Sequence, residues 1–318
     1  MSEKPNPKIE TGGFSVMITG GSGLIGRHLT SALLSEGYKV SHLSRKAYKA
    51  ENVNVHVWNP LKNYIEPDAL EGVDYIIHLA GANIGESPWT ARRKEVIMRS
   101  RIDSARLLHE TITYTGVPLK AFISASAVGF YGAETSEKVF TEADTPGTDF
   151  LGITCRRWEE AAELFEKSGI RTVKIRTAVV LEKSDSALSK LMLPGKFGFL
   201  LKTGNGRQYM PWIHISDLCG IYKKAITDTG MSGSYNAVAP QQVSHTEFMK
   251  ELGAVMKRPV LLPGVPSIFL RAIMGEMSDV ILKGSRVSPE KIINAGYRFE
   301  FASLHDALHD AIRSYRPH

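Results

Sequence analysis

Residues 19–26 read Thr19-Gly20-Gly21-Ser22-Gly23-Leu24-Ile25-Gly26, and this run decides the fold. A short apolar stretch over 14–18 precedes it. A pattern over 24–34 follows, in which apolar side chains return every three or four positions. Strand, glycine turn and helix, in that order, is the context in which a glycine triplet holds a dinucleotide and does more than turn the chain. Gly20 permits the tight turn, Gly23 lets the backbone approach a pyrophosphate, and Gly26 lets the helix pack onto the strand. The helix N-terminus offers free N–H groups and a positive dipole end to the phosphates. The expected cofactor contacts are therefore Gly20, Gly21, Ser22, Gly23, Leu24 and Ile25.

Outward from this run, strand-like and helix-like patterns alternate. Strands are expected over 14–19, 38–43, 53–58, 74–79, 121–126 and 171–175, and helices over 24–36, 90–115 and 151–167. That alternation predicts an α/β fold, a Rossmann-type doubly wound parallel sheet with a ligand crevice at the carboxyl ends of its strands. Regularity weakens after 177. The segment 183–215 holds Pro194, Gly195, Gly198, Gly204, Gly206 and Pro211, and reads as irregular structure with short helices. A helix over 217–227 returns to the main layer. Short helical patterns follow over 246–256, 267–274, 289–294 and 304–314. The expected division is a flexible lead-in (1–13), a nucleotide-binding domain (14–182, with a return segment near 212–240), and a small, mainly helical substrate lobe (183–211 and 241–318).

Composition narrows the function. With 43% hydrophobic and 23% charged residues the 318-residue chain is of ordinary globular type, long enough for a large core. The formal charge of +6 is spread along the chain. The densest clusters, Arg92-Arg93-Lys94 and 99–106, lie in a helical pattern and read as a solvated face with a few site arginines, so a nucleic-acid partner is not expected. The two cysteines, Cys155 and Cys219, have neither metal-ligand nor disulfide spacing, which points to a reducing compartment and no metal site. The polar N-terminus lacks a signal-peptide core, and no apolar run is long enough to span a bilayer. A cytoplasmic protein with no membrane partner is expected.

An NAD-specific site usually carries a carboxylate at the end of the second strand to hold the ribose diol. Here that strand runs into Ser44-Arg45-Lys46. Arg45 can pair with a 2′-phosphate and stack on adenine, and Ser44 can donate to the same phosphate, so the expected cofactor is NADP(H). The fourth strand closes on His78-Leu79-Ala80-Gly81-Ala82-Asn83. Small residues there let Leu79, Ala80 and Gly81 pass close to a cofactor ribose, while His78 reads as a packed strand residue. Arg176, closing the sixth strand on the ligand side, can meet a cofactor phosphate or close a salt bridge. The fifth strand ends Ile123-Ser124-Ala125-Ser126-Ala127-Val128-Gly129-Phe130-Tyr131-Gly132, with Ser124 and Ser126 as its strand-end hydroxyls.

The spacing Thr-Gly-x-x-Gly-x-x-Gly resembles the short-chain dehydrogenase/reductase superfamily, above all its extended members. That resemblance implies a strand-end Ser or Thr that orients a substrate oxygen. It also implies a Tyr-x-x-x-Lys helix whose lysine lowers the tyrosine pKa for proton transfer. Where the second motif is expected the chain reads Asp149-Phe150-Leu151-Gly152-Ile153-Thr154-Cys155-Arg156-Arg157-Trp158-Glu159-Glu160, with no tyrosine and no lysine. Arg156 or Arg157 can supply the lysine's charge but not shuttle a proton. Tyr131 is the candidate substitute acid, and Glu159 is expected to pair with an arginine. Ser100-Arg101 stands near a position where the family carries an asparagine.

Longer motifs narrow the resemblance: ITGGSGLIG, LSRK, HLAGANI, the tryptophan-to-arginine stretch 89–101, SASAVGFYG, PWIHISDL and the tail from Gly275 to Leu304. Together they resemble the atypical, NADP-dependent, nucleoside-diphosphate-sugar-epimerase-like branch, some of whose members carry an old cell-division-inhibitor label. The branch ends in a small domain of unknown function, matching about 262–310. The resemblance implies a closed substrate pocket, for which Asn83, Trp89, Arg92, Trp212 and His214 are the candidates, with Asp217 capping the next helix. It also implies a small-molecule substrate, with a nucleotide sugar meeting Lys190, Lys196, Lys202 or Arg207. A homodimer through the helices over 90–115 and 151–167 is a further implication. Two functions follow: an NADP-dependent oxidoreductase or epimerase, or a non-catalytic NADP-holding sensor.

Overall fold

The structure, a computed structural model, describes residues 13–182, 184 and 186–313. Of the lead-in expected over 1–13, all but Gly13 lies outside the described residues, as does the last position of the helix expected to reach 314.

In chain order the strands are β1 (Ser15–Thr19), β2 (Lys39–Ser44), β3 (Val53–Asn59), β4 (Tyr64–Ile65), β5 (Tyr75–His78), β6 (Ala121–Ala127), β7 (Val139–Phe140), β8 (Arg171–Thr177), β9 (Val179–Leu181), β10 (Leu200–Thr203), β11 (Trp212–His214), β12 (Gly233–Ala237), β13 (Val260–Val265) and β14 (Arg286–Val287). The helices are α1 (Leu24–Ser35), α2 (Ala91–Thr115), α3 (Phe150–Lys167), α4 (Ala187–Met192), α5 (Ile215–Thr227), α6 (His245–Met256), α7 (Ser267–Met274), α8 (Asp279–Leu282), α9 (Glu290–Asn294) and α10 (Leu304–Arg313). None of the helices among the described residues is long and apolar enough to cross a membrane.

The main sheet has eight strands in the order β12-β8-β6-β5-β1-β2-β3-β4, and every pair in it is parallel except β3 with β4. The winding reverses between β1 and β5, so the crevice opens at their carboxyl ends, where Thr19 lies beside His78. Strand alternation builds a layer on each face. Val16 and Ile18 pack with Leu29 and Leu33 of α1 and Leu218 and Ile221 of α5. Met17, Ile76 and Phe122 pack on the other face with Leu107 and Leu108 of α2 and Ala162 and Phe165 of α3. Phe122 and Phe165 stack at 3.6 Å. Side-chain caps set two helix starts: Thr90 accepts from Arg93 N, and Asp149 accepts from Gly152 N.

The six expected strands and three main helices are present with bounds shifted by two residues or fewer. The segment 183–215 departs from the irregular reading. It contains α4, β10 and β11, the strands paired in parallel with β13 and β9 respectively. The strand β12, inside the return segment, extends the main sheet beyond β8. These strands are three to six residues long with distant partners, so no local periodicity marks them. A third core cluster, with Trp212, Phe248, Leu252, Leu304 and Leu308, holds α6 and α10 against β9 and β11.

Candidate functional site

The glycine run folds as its spacing requires. Gly20 has a φ of +74°, and a Cβ there would meet Ala80 N at 3.2 Å, so both conformation and space demand glycine. A Cβ on Gly26 would stand 2.5 Å from Gly20 O and 2.6 Å from Gly21 Cα, which presses α1 directly onto the loop. Gly23 caps α1 with no side-chain bond, and the first turn holds no acidic residue. Those first-turn amides face outward, with Ser22 and Gly23 exposed, as an anion cradle. Beneath the loop His42 is buried, its ring bonded to Thr30 Oγ1 at 2.8 Å and Tyr48 Oη at 2.6 Å. Burial pushes its pKa down to about 4.

At the end of β2 Ser44 is partly buried, and Arg45 and Lys46 are exposed. Among the described residues no carboxylate forms an ion pair with Arg45. At the end of β5, Thr19 Oγ1 meets His78 Nδ1 at 2.8 Å and accepts from Ala80 N at 3.1 Å. Ser104 Oγ of α2 meets His78 Nε2 at 3.1 Å. His78 is thus a fully buried strand residue whose pKa burial depresses to about 4. Beyond it Leu79 and Ala80 are partly buried and Gly81 is exposed to the crevice. A Cβ on Gly81 would lie 3.0 Å from Arg101 Cζ.

Ser124, Ser126, Tyr131 and Arg176, expected in catalysis and cofactor binding, are buried with their polar groups bonded to other protein groups. Arg176 makes a two-pronged pair with Glu159, Nε to Oε1 at 2.8 Å and Nη2 to Oε2 at 2.9 Å. Its Nη1 donates to Tyr131 Oη at 3.0 Å, and that hydroxyl donates to Asn236 Oδ1 at 2.6 Å. Ser126 Oγ donates to Glu159 Oε1 at 2.7 Å, and Ser234 Oγ to Oε2 at 3.0 Å. Asn236 Nδ2 reaches Ser288 O at 3.1 Å, joining the C-terminal segment to the knot. Ser124 spends its hydroxyl on Ala125 O at 2.9 Å. All four residues are at least 96% buried by relative exposure of 4% or less. Burial raises the Tyr131 pKa to about 12, against the opposing pull of Arg176 and of its hydrogen bonds. A phenol so placed holds its proton at neutral pH. Glu159 pairs with an arginine, as the sequence implied.

The pocket candidates divide as well. Trp89 sits on the loop after β5, its indole N–H donated to Ile84 O at 2.9 Å and its ring edge-on to Phe150 at 4.9 Å. Asn83, on the same loop, accepts from Gly85 N at 2.9 Å. The arginine that fastens this loop is Arg93, bonded to Glu86 at 2.6 Å and to Asn83 O; Arg92 is exposed one residue earlier, because only every third or fourth position of α2 faces the loop. Lys190 of α4 donates to Gly85 O at 3.3 Å, and Lys94 pairs with Glu276, so the far lobe holds the loop too. Trp212 and His214 are corrected to structural roles. Trp212 is fully buried and donates to Gln241 O at 2.9 Å. His214 caps α5, faces Asp310 at 3.3 Å and lies against Phe301 at 3.9 Å. Asp217 fastens the C-terminal segment instead of capping: its carboxylate accepts from Tyr297 Oη, Glu300 N and Phe301 N at 3.0, 2.8 and 3.0 Å.

Comparison with known proteins places this geometry. Residues 16–237 match the family described as "NAD dependent epimerase/dehydratase family", and residues 265–311 match a domain of unknown function, DUF1731. The epimerase family protein YfhF of Bacillus subtilis is 39% identical over 300 residues, covering 94% of this chain and 98% of that protein. The crystal structure of human epimerase family protein SDR39U1 (isoform 2) with NADPH superposes with a TM-score of 0.86 at 30% identity, covering 95% of this chain and all of that one. The nucleoside-diphosphate sugar epimerase of Corynebacterium glutamicum gives a TM-score of 0.75 at 32% identity, covering 94% of this chain and 58% of that one.

Proposed function

This chain belongs to the NAD dependent epimerase/dehydratase family, and from that premise we propose that it is an NADP(H)-dependent oxidoreductase or epimerase of the extended short-chain type, acting on a small polar substrate. The observation that carries the cofactor choice is the end of β2, where Arg45 is exposed, lacks an acidic partner among the described residues, and follows a serine in place of a carboxylate. The glycine loop fits a dinucleotide, since Gly20 and Gly26 leave no room for a side chain where the backbone must cradle a phosphate. In this reading the amides of Gly21, Ser22, Leu24 and Ile25 hold the pyrophosphate, while that of Gly23 closes the loop on Gly20 O at 3.0 Å. Ser44 and Arg45 hold the 2′-phosphate, and Leu79 to Gly81 pass beneath a ribose. NADP(H) supplies hydride exchange with a substrate carbon. The loop bearing Asn83 and Trp89, backed by Phe150, closes the substrate side and excludes water.

Proton exchange falls to water or to the substrate, because Tyr131 and Ser126 are committed to the buried knot and Ser124 to Ala125 O. A nucleotide sugar belongs to the proposed substrate class, and the name of the Corynebacterium relative supports it. Lys190, at the loop edge, is the basic residue placed to meet its diphosphate. A second reading, an NADP-holding sensor, draws support from the same commitment of the hydroxyls. Titration of the purified chain with NADPH and NADH tests the reading. Wild-type protein is expected to prefer NADPH, and Arg45→Ala to lose roughly tenfold to a hundredfold in NADPH affinity with little change for NADH. No binding of either nucleotide, or equal losses for both, would sink it. Hydride transfer to a screened substrate separates the enzyme from the sensor.

A further inference from the structure

We propose that Arg101 is an anion-binding residue of the crevice, holding a carboxylate or phosphoryl group of the substrate through its planar array of N–H donors. This rests on the reading of the crevice as a dinucleotide site. Arg101 projects from α2 over the end of β5, where the space above Gly81 is filled by its guanidinium: a Cβ there would lie 3.0 Å from Cζ and 3.2 Å from Nε and Nη1. Gly81 is exposed, so the guanidinium lines the crevice floor. Its cation lies 5.0 Å from the Trp158 ring centre. Among the described residues the one hydrogen bond of its side chain runs back to its own helix, Nη1 to Ile97 O at 2.8 Å.

Other arginines near the core have protein acceptors, although Arg93 Nε is left without one. Arg176 has Glu159, Arg93 has Glu86, and Arg171 caps the end of α5 through Ala225 O and Ile226 O. Arg101 has no carboxylate within ion-pairing distance among the described residues. Burial depresses its pKa, the Cys155 sulfur opposes that, and the Arg93 charge adds to the depression. A shielded cation without a counter-ion is costly, and the cost is offset once a planar anion arrives to take two parallel bonds. Within the proposed site the cofactor's anions are already served: the pyrophosphate by the glycine loop, the 2′-phosphate by Arg45. That leaves the substrate as the source. The sequence hid this residue, because Ser100-Arg101 is conspicuous only as the place where a family asparagine is missing.

The experiment uses the full chain, wild type and Arg101→Met, with inorganic phosphate as the probe, melted by differential scanning with and without saturating NADPH. Phosphate is expected to raise the melting temperature of the NADPH-loaded wild type, and Arg101→Met to lose most of that response while its NADPH affinity changes by less than about threefold. Arg101→Lys is expected to keep part of the response, since it retains the charge but not the planar fork. An equal phosphate response in wild type and Arg101→Met overturns the proposal, as does a wild type that ignores phosphate. A loss of about tenfold or more in NADPH affinity on Arg101→Met would assign the anion to the dinucleotide and overturn the substrate assignment. A wild type that fails to bind NADPH defeats the proposed function. The phosphate response without cofactor then still decides whether Arg101 binds anions.

Discussion

Arg176, at the end of β8, is buried, and Arg101, over Gly81 beyond the end of β5, is partly buried, yet Arg176 is gripped by Glu159 through two bonds and Arg101 faces no carboxylate among the described residues. Around Arg176 the donors and acceptors are spent on each other: Ser126, Tyr131, Asn236 and Ser234 close a knot that ties β6, β8 and β12 to the C-terminal segment through Ser288. Around the glycine loop the polarity runs outward. Ser22, Gly23 and Arg45 are exposed, and Arg101 pairs with no carboxylate among the described residues, which is the basis for the proposed ligand site. A buried ion pair adds little net stability against an apolar replacement, but it makes one geometry much better than its neighbours. An unpaired cation adds nothing to the fold and is tolerated where a ligand completes it. The knot is therefore a fastening, and the crevice is the place to look for chemistry.

The largest effect should come from cutting the knot. Glu159→Ala leaves the Arg176 guanidinium buried without its partner and is expected to lower unfolding free energy by about 3–5 kcal/mol, read by denaturant titration. Replacing both, Glu159→Leu with Arg176→Met, should recover most of it; a single variant as stable as wild type would break the distinction drawn here. On the crevice side, Gly26→Ala puts a methyl 2.5 Å from Gly20 O, against backbone that cannot turn aside. It should cost about 1–3 kcal/mol of stability and most of the NADPH affinity, and unaltered binding would show that the loop is looser than drawn.

Acid should act between these in size. His42, His78 and His245 have pKa values pushed from 6.5 down to about 4 by burial. The unfolded chain therefore binds more protons than the folded one between those values, so their contribution is complete above 6.5 and is lost as pH falls toward 4. Unfolding titrations over that range should show falling stability, and a flat profile would mean the rings are hydrated. Smallest is Tyr131→Phe. It removes the phenol's bonds to Arg176 and Asn236 and should cost about 1 kcal/mol, with NADPH affinity unchanged. Weakened NADPH binding in that variant would return Tyr131 to the crevice and sharpen the catalytic question.

Much of this was legible in local pattern. The strands β1, β2, β3, β5, β6 and β8 carry apolar runs bounded by turns, and α1, α2 and α3 carry the three-to-four periodicity, so their bounds were close. The glycine loop and the exposed Arg45 followed from spacing alone. The strands β10, β11 and β12 were not legible, because each depends on a partner far along the chain. Trp212 and His214 looked like pocket residues for a similar reason. A tryptophan and a histidine in a conspicuous motif serve a core and a helix cap as well as a ligand, and only Gln241, Phe301 and Asp310 reveal which. Arg92 and Arg93 are adjacent in sequence, but the pitch of α2 turns Arg93 to the loop.

By itself the sequence determined the Rossmann-type order of strands and helices, the glycine cradle and the absence of a carboxylate after β2. Turn conformation, helix caps and apolar periodicity are local properties that neighbouring residues fix. Only the tertiary structure decided which polar side chains are spent and which remain available. Tyr131 meets Asn236 across 105 positions, Thr19 meets His78 across 59, and Arg101 stands over Gly81 with no carboxylate in ion-pairing range among the described residues. Pairing and desolvation are set by residues that come together only when the sheet and its two helical layers close.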